Sequence, residues 1–136
     1  MNARMAAIVL GVVLAVVGVL GFFDNPIVSG AVDATTGAPV AIFFVNTPHT
    51  IVHLVSGLFL LAGAWTALGS VVALRILGII YVVIVILGFV GDGSSLAVLT
   101  FVSNNGADNW LHVAVAVVLL AAGFALEEDE PAMARM

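Results

Sequence analysis

The sequence predicts an all-α membrane protein: a bundle of four transmembrane helices made of two related helical hairpins, with both termini cytoplasmic. Composition is the first reason. Of the 136 residues, 63% are hydrophobic and 8% charged, and the mean hydropathy is +1.31. A soluble domain of this length cannot hide that much apolar surface. Patterning is the second reason. Apolar stretches run over about 5–23, 48–68, 71–90 and 109–126. Each is near the ~20 residues that cross ~30 Å of hydrocarbon, and backbone groups in lipid must be satisfied within the segment, so each reads as a helix. The arginines are the third reason. Arg4 precedes the first stretch, Arg75 lies by the turn between the second and third, and Arg135 follows the fourth. Four spans put all three on one side, which the positive-inside rule makes cytoplasmic.

Each element has its own local signals. The first stretch, with Arg4 and then an apolar run, looks like a signal peptide. It is longer than such an apolar core and has no clear small-x-small cleavage site after it, so it reads as a retained helix. Thr47 and Pro48 read as the N-cap and first residue of the second helix. Asp108 reads as the N-cap of the fourth. Trp110 and Trp65 read as anchors at the two interfaces. The chain is one domain, 1–136, whose acidic tail over 127–136, with Glu-Glu-Asp-Glu at 127–130, reads as a solvated cytoplasmic run. Apolar stretches at 39–45 and 96–102 are too short to span. They are expected to lie in the interface, packed on the bundle rim, or to fold over its outer end as a lid.

Several function classes drop out. The chain has no cysteine, hence no disulfide, thiolate metal site or cysteine nucleophile. Its net charge of -5 and its lack of lysine exclude a basic nucleic-acid surface. His49-x-x-x-His53 lacks the glutamate of a zinc protease, Ile51 and Val52 standing in that neighbourhood. No nucleophile–base arrangement and no phosphate-binding loop is recognisable. The reading leans away from an enzyme.

The chain repeats itself. Leu-Gly-Phe-Phe-Asp at 20–24 is echoed by Leu-Gly-Phe-Val-Gly-Asp at 87–92, and aligning Asn46 with Asn105 pairs His49 with Asp108 and His53 with His112. Two hairpins in the same sense imply a pseudo-two-fold axis along the membrane normal. That axis puts His53 and His112 at equal depth, with His49 and Asp108 one turn above them. All three histidines of the chain then gather at the outer end of the bundle, where no arginine lies.

The pattern Asn-x-x-His-x-x-x-His-Leu-x-x-Gly-Leu at 46–58, with Asp-Asn-Trp-Leu-His at 108–112, resembles the small four-helix bacterial and archaeal membrane proteins known as domain of unknown function 4383. The resemblance covers nearly the whole chain, and His49, His53, Asp108, Asn109 and His112 are the matching positions. Ala116 stands where the first half has Gly57. The resemblance implies a four-helix fold in a prokaryotic plasma membrane and supplies no activity.

Four chemistries stay open for the cluster. Three imidazoles and a carboxylate make a plausible shell for a transition metal such as zinc or copper, with His49, His53, His112 and Asp108 as ligands. Asn46, Asn109, Asp24 and Asp92 are then candidates for fixing the histidine tautomers. Alternatively the histidines are neutral and hydrogen-bonded to Asn, Asp or Ser56 across helices, locking the hairpins together. Haem between His53 and His112 is a third reading, weakened by the absence of arginine or lysine for the propionates. A proton pathway is the fourth. The leading reading is a non-enzymatic structural or accessory membrane protein whose cluster is a candidate metal site. The runner-up is a dedicated metal- or haem-binding protein in redox or metal handling. Small residues such as Gly11, Gly18, Gly78 and Gly123 suit close helix packing, within the bundle or against a homo-oligomeric or other membrane partner.

Overall fold

The computed structural model describes residues 1–91, 95–96 and 99–128. Four helices dominate: α1 (Ala3–Leu20), α2 (Thr47–Trp65), α3 (Ser70–Val90) and α4 (Gly106–Ala125). Each is long and apolar enough to cross a membrane. Asp92, Arg135 and the acidic tail beyond residue 128 lie outside the described residues.

Helix ends follow from side-chain caps rather than from hydropathy. Asn2 caps α1 by accepting from the Met5 amide at 2.8 Å, so the helix begins at Ala3, before the apolar run. It ends at Leu20, where the Phe22 and Phe23 amides turn back to the Val19 and Leu20 carbonyls at 3.2 and 3.0 Å, and the Asn25 amide group also donates to the Leu20 carbonyl at 3.0 Å. Two expected caps are corrected. Asn46, not Thr47, caps α2, accepting from the His49 amide at 3.2 Å, with Pro48 in the first turn. Asn105, not Asp108, caps α4, which therefore starts one turn before 109. Asp108 is the third residue of a capping box, returning a carboxylate to the Asn105 amide at 2.9 Å.

Neighbouring helices run antiparallel. Down the α1–α2 seam Gly11 faces Gly57 and Leu61, Gly18 faces Leu54, and Gly21 faces Thr50. Down the α3–α4 seam Gly123 faces Arg75, Gly78 faces Leu120, and Gly88 faces Asn109. Gly63 against Ala73 joins α2 to α3. Buried Ala3, Ala7, Gly11, Leu14 and Gly18 form one stripe of α1 at three- and four-residue spacing. Small residues there let backbones approach closely. A Cβ on Gly57 would come within 2.6 Å of the Gly11 carbonyl oxygen and 2.5 Å of the Ala15 nitrogen.

The start of α1 and the residues after α4 meet at one end of the bundle. The Ala3 amide donates to the Glu127 carbonyl at 3.1 Å. Glu128 is not merely solvated. Its carboxylate accepts from the Ser70 and Val71 amides at 3.0 and 2.7 Å. Gly69 offers α3 no side-chain cap, so a residue from the far end of the chain supplies it, with the charge sign that a helix N-terminus favours. At this same end the Arg75 guanidinium donates through Nε to the Gly123 carbonyl at 2.7 Å and lies over Phe124.

The opposite end is closed by the two long loops, which are not wholly irregular. β1 (Val28–Ser29) pairs in parallel with β2 (Phe43–Phe44), and β3 (Ser95–Leu96) pairs antiparallel with β4 (Leu99–Ser103). The fold is thus mostly helical with two small two-stranded sheets. Within the first loop, Asp33 accepts from the Thr36 and Thr35 amides and the Thr36 hydroxyl at 2.7–2.9 Å, which holds its carboxyl below the ordinary carboxylate value.

The loops are fastened crosswise. Asn46, capping α2, donates to the Phe101 carbonyl of β4 at 2.7 Å and accepts from the Ser103 amide at 3.2 Å. Asn105, capping α4, donates to the Ile42 carbonyl beside β2 at 3.0 Å. Each loop therefore lies over the helix start that belongs to the other half of the chain.

Candidate metal centre

Under the loops three imidazoles meet. His49 and His53 are four residues apart on α2, so they share a face, and their rings stack with centroids 4.9 Å apart and planes 17° from parallel. His112 enters from α4 with centroids 5.4 Å from His49 and 5.8 Å from His53. Their exposures are 2%, 3% and 2%. One ring nitrogen of each lies within 4.8 Å of those of the other two, an arrangement able to hold a metal ion.

Partners around the rings fix their roles. His49 Nδ1 lies 2.6 Å from the Ser103 carbonyl oxygen. A carbonyl only accepts, so Nδ1 carries the proton and Nε2 presents a lone pair. That Nε2 faces His53 Nε2 at 3.1 Å. On its other side His53 Nδ1 faces the Tyr81 hydroxyl at 3.4 Å. His112 Nδ1 is buried with no hydrogen-bond partner, and the edge of Tyr81 packs against its ring at 5.7 Å. A cavity of about 60 Å³ opens between the imidazoles, Tyr81, Val52, Ile84, Leu99 and Val102.

The expected ligand and supporting residues separate into groups. His49, His53 and His112 converge, whereas the Asp108 carboxylate is not one of the group and serves the capping box instead. Asn46 and Asn109 lie close by but engage backbone and amide partners. Asn46 holds β4, and Asn109 accepts from Asn104 at 2.5 Å while donating to the Gly88 carbonyl at 3.1 Å. Asp24 accepts from the Ser29 hydroxyl at 3.4 Å. Asp92 lies outside the described residues.

Two participants were not expected from the sequence. Tyr81 is fully buried, and its signal was available: it is the chain's single tyrosine, set in the middle of an apolar helix. The Ser103 carbonyl left no signal, because every residue has one and only the path of β4 brings this one to His49.

No curated protein and no solved structure matches the chain. The family described as Domain of unknown function (DUF4383) matches residues 4–125, which span all four helices and all three histidines, and the chain belongs to that family.

Proposed function

We propose that this is a small multi-pass protein of the prokaryotic plasma membrane, structural or accessory rather than enzymatic, whose His49, His53 and His112 bind one transition-metal ion, zinc or copper. The observation that carries the metal reading is the set of nitrogen positions. At Zn–N distances of ~2.0–2.1 Å, neighbouring ligands of a tetrahedral ion sit ~3.3 Å apart. The Nε2 atoms of His49 and His53 are 3.1 Å apart. Their Nδ1 atoms are already turned to an oxygen each, as second partners of metal-bound histidines usually are. A ring nitrogen of His112 completes the set within 4.8 Å of the other two, and its Nδ1 has no hydrogen bond to give up.

Membrane insertion is supported by what the bundle leaves outside. Between 33% and 44% of each helix is buried, and the outward faces are apolar, as in Val9, Val12, Val13 and Val16 of α1. In water this would be an apolar patch far beyond the few hundred Å² that soluble monomers expose. Arg4 and Arg75 belong to the end where Ala3 meets Glu127, which supports a cytoplasmic placement of that end. The crosswise Asn46 and Asn105 bonds have matching form, which supports descent of the two hairpins from one duplicated unit.

One observation favours a second reading. Tyr81 can donate to His53, His53 to His49, and His49 to the Ser103 carbonyl, a chain complete without any ion. It would make the cluster a clamp between α2, α3 and β4, yet it leaves His112 Nδ1 unsatisfied. Haem fits less well. Sites for ligands of even ordinary drug size occupy ~300–1,000 Å³, against about 60 Å³ here.

Metal analysis by inductively coupled plasma mass spectrometry on detergent-purified protein tests the assignment. The expected result is close to one ion per chain, lost in the His53→Ala/His112→Ala double variant. A wild-type protein that stays metal-free after incubation with zinc and with copper(I) would leave the clamp as the surviving reading.

A further inference from the structure

The geometry points to a fourth, exchangeable coordination position at this metal centre, opening into the 60 Å³ cavity and taking a small monoanion of two or three atoms. The inference rests on the three-histidine metal reading above. Three protein nitrogens leave a tetrahedral ion one position short, as in metal centres that keep a water or substrate in the fourth place. Among the described residues no carboxylate joins the three imidazoles, and Asp108 is held by the capping box. Three neutral imidazoles also leave a divalent ion with its whole charge in a buried site, where an unpaired charge is costly. A bound anion offsets that cost.

The cavity sets the anion's size and kind. At ~10–15 Å³ of such space per water, its 60 Å³ hold a few waters. With an ion seated among the nitrogens, the rest suits a short ligand better than phosphate or sulfate. Beside the imidazoles, Tyr81 brings a hydroxyl that is turned to His53, and Val52, Ile84, Leu99 and Val102 make the other walls apolar, so a compact, weakly hydrated monoanion is favoured over one that must keep its water shell. Leu99 and the buried Val102 belong to β4, the strand of the second loop that covers this side of the cavity.

Cobalt(II) provides the optical probe and azide the anion. The full-length protein in nanodiscs is loaded with cobalt(II), and its visible d–d bands are followed during azide titration, with phosphate as the control. A saturable one-to-one band shift with azide and none with phosphate is expected. Val52→Phe, which fills the cavity from a half-exposed wall, should keep one cobalt per chain and raise the apparent azide Kd roughly tenfold or more, a change of ~1.4 kcal/mol or greater. Val55→Phe, on the exposed face of the same helix and outside the cavity lining, should retain the wild-type response. Cobalt bound with bands indifferent to azide overturns the open position and leaves the metal site standing. An undiminished response in Val52→Phe overturns the cavity as its location. Failure to bind cobalt overturns the open position, and the zinc and copper(I) uptake above decides the metal site separately.

Discussion

Replacing His112 by phenylalanine is expected to make the metal-free protein more stable and, in the same stroke, to abolish its stabilisation by metal. The two effects come from one atom. His112 Nδ1 is buried without a hydrogen-bond partner, and leaving such a group unsatisfied costs about 1–3 kcal/mol. Phenylalanine has a ring of similar shape and no polar atom to satisfy, and it keeps the edge contact with Tyr81. A gain of about 1–3 kcal/mol in the chelated protein follows. With metal, the order reverses. An ion that binds only the folded chain stabilises it by RT ln(1 + [L]/Kd), about 4 kcal/mol at a thousandfold excess over Kd. Wild type should show that gain and His112→Phe should not. Unfolding in a mixed-micelle SDS titration, run with chelator and with excess zinc or copper(I), reads both numbers. Loss of stability in the chelated variant, together with no metal effect on wild type, would mean that His112 is adhesive and the ion imaginary.

Gly57→Leu carries the second large effect, through the α1–α2 seam. A Cβ at residue 57 meets the Gly11 carbonyl and the Ala15 nitrogen and Cα at 2.5–2.9 Å. All three are backbone atoms, so no side chain can swing aside. The helices must separate, and the stripe of Gly11, Leu14 and Gly18 loses its dispersion contacts along with them. Overpacking costs typically ~1–3 kcal/mol and sometimes more; a clash with backbone belongs at the upper end. Gly106→Ala is the matched control, since a Cβ there meets nothing within 4 Å, and it should stay within about 0.5 kcal/mol of wild type. Equal SDS midpoints for the two variants would show that the seam is not closely packed.

The helices were legible in the length of the apolar runs, and the histidine cluster in a four-residue spacing and an internal repeat. Hydropathy located four helices whose ends then moved by up to a turn, for a reason that hydropathy does not contain. At residues 104–108 the run Asn-Asn-Gly-Ala-Asp holds several good caps, and the choice of Asn105 depends on Asp108 reaching back as the third helical residue. Had Asp108 been recognised as half of a capping box, its removal from the ligand set would have been legible too. The alignment of Asn46 with Asn105 paired two residues that do cap helices, and the four-residue spacing on α2 correctly put His49 over His53. What stayed hidden depends on distant chain meeting local chain. Glu128 caps a helix 57 and 58 residues away, and β4 brings the Ser103 carbonyl to a ring 54 residues earlier. Neither pairing leaves a periodic trace.

The crosswise fastening of the loops makes their opening a single event. Lifting β4 strips the start of α2 of the Asn46 bonds and frees the His49 ring. Lifting the segment at Ile42 takes a bond from the Asn105 cap of α4. Each cover is latched by the other's hinge post, so disorder in one spreads to its counterpart, and access to the imidazoles becomes all-or-none rather than graded. Hydrogen exchange should therefore find the amides around 42–45 and 99–103 released at a common rate, and Asn105→Ala should speed both; acceleration confined to the 42–45 side would mean that the two covers move as strangers.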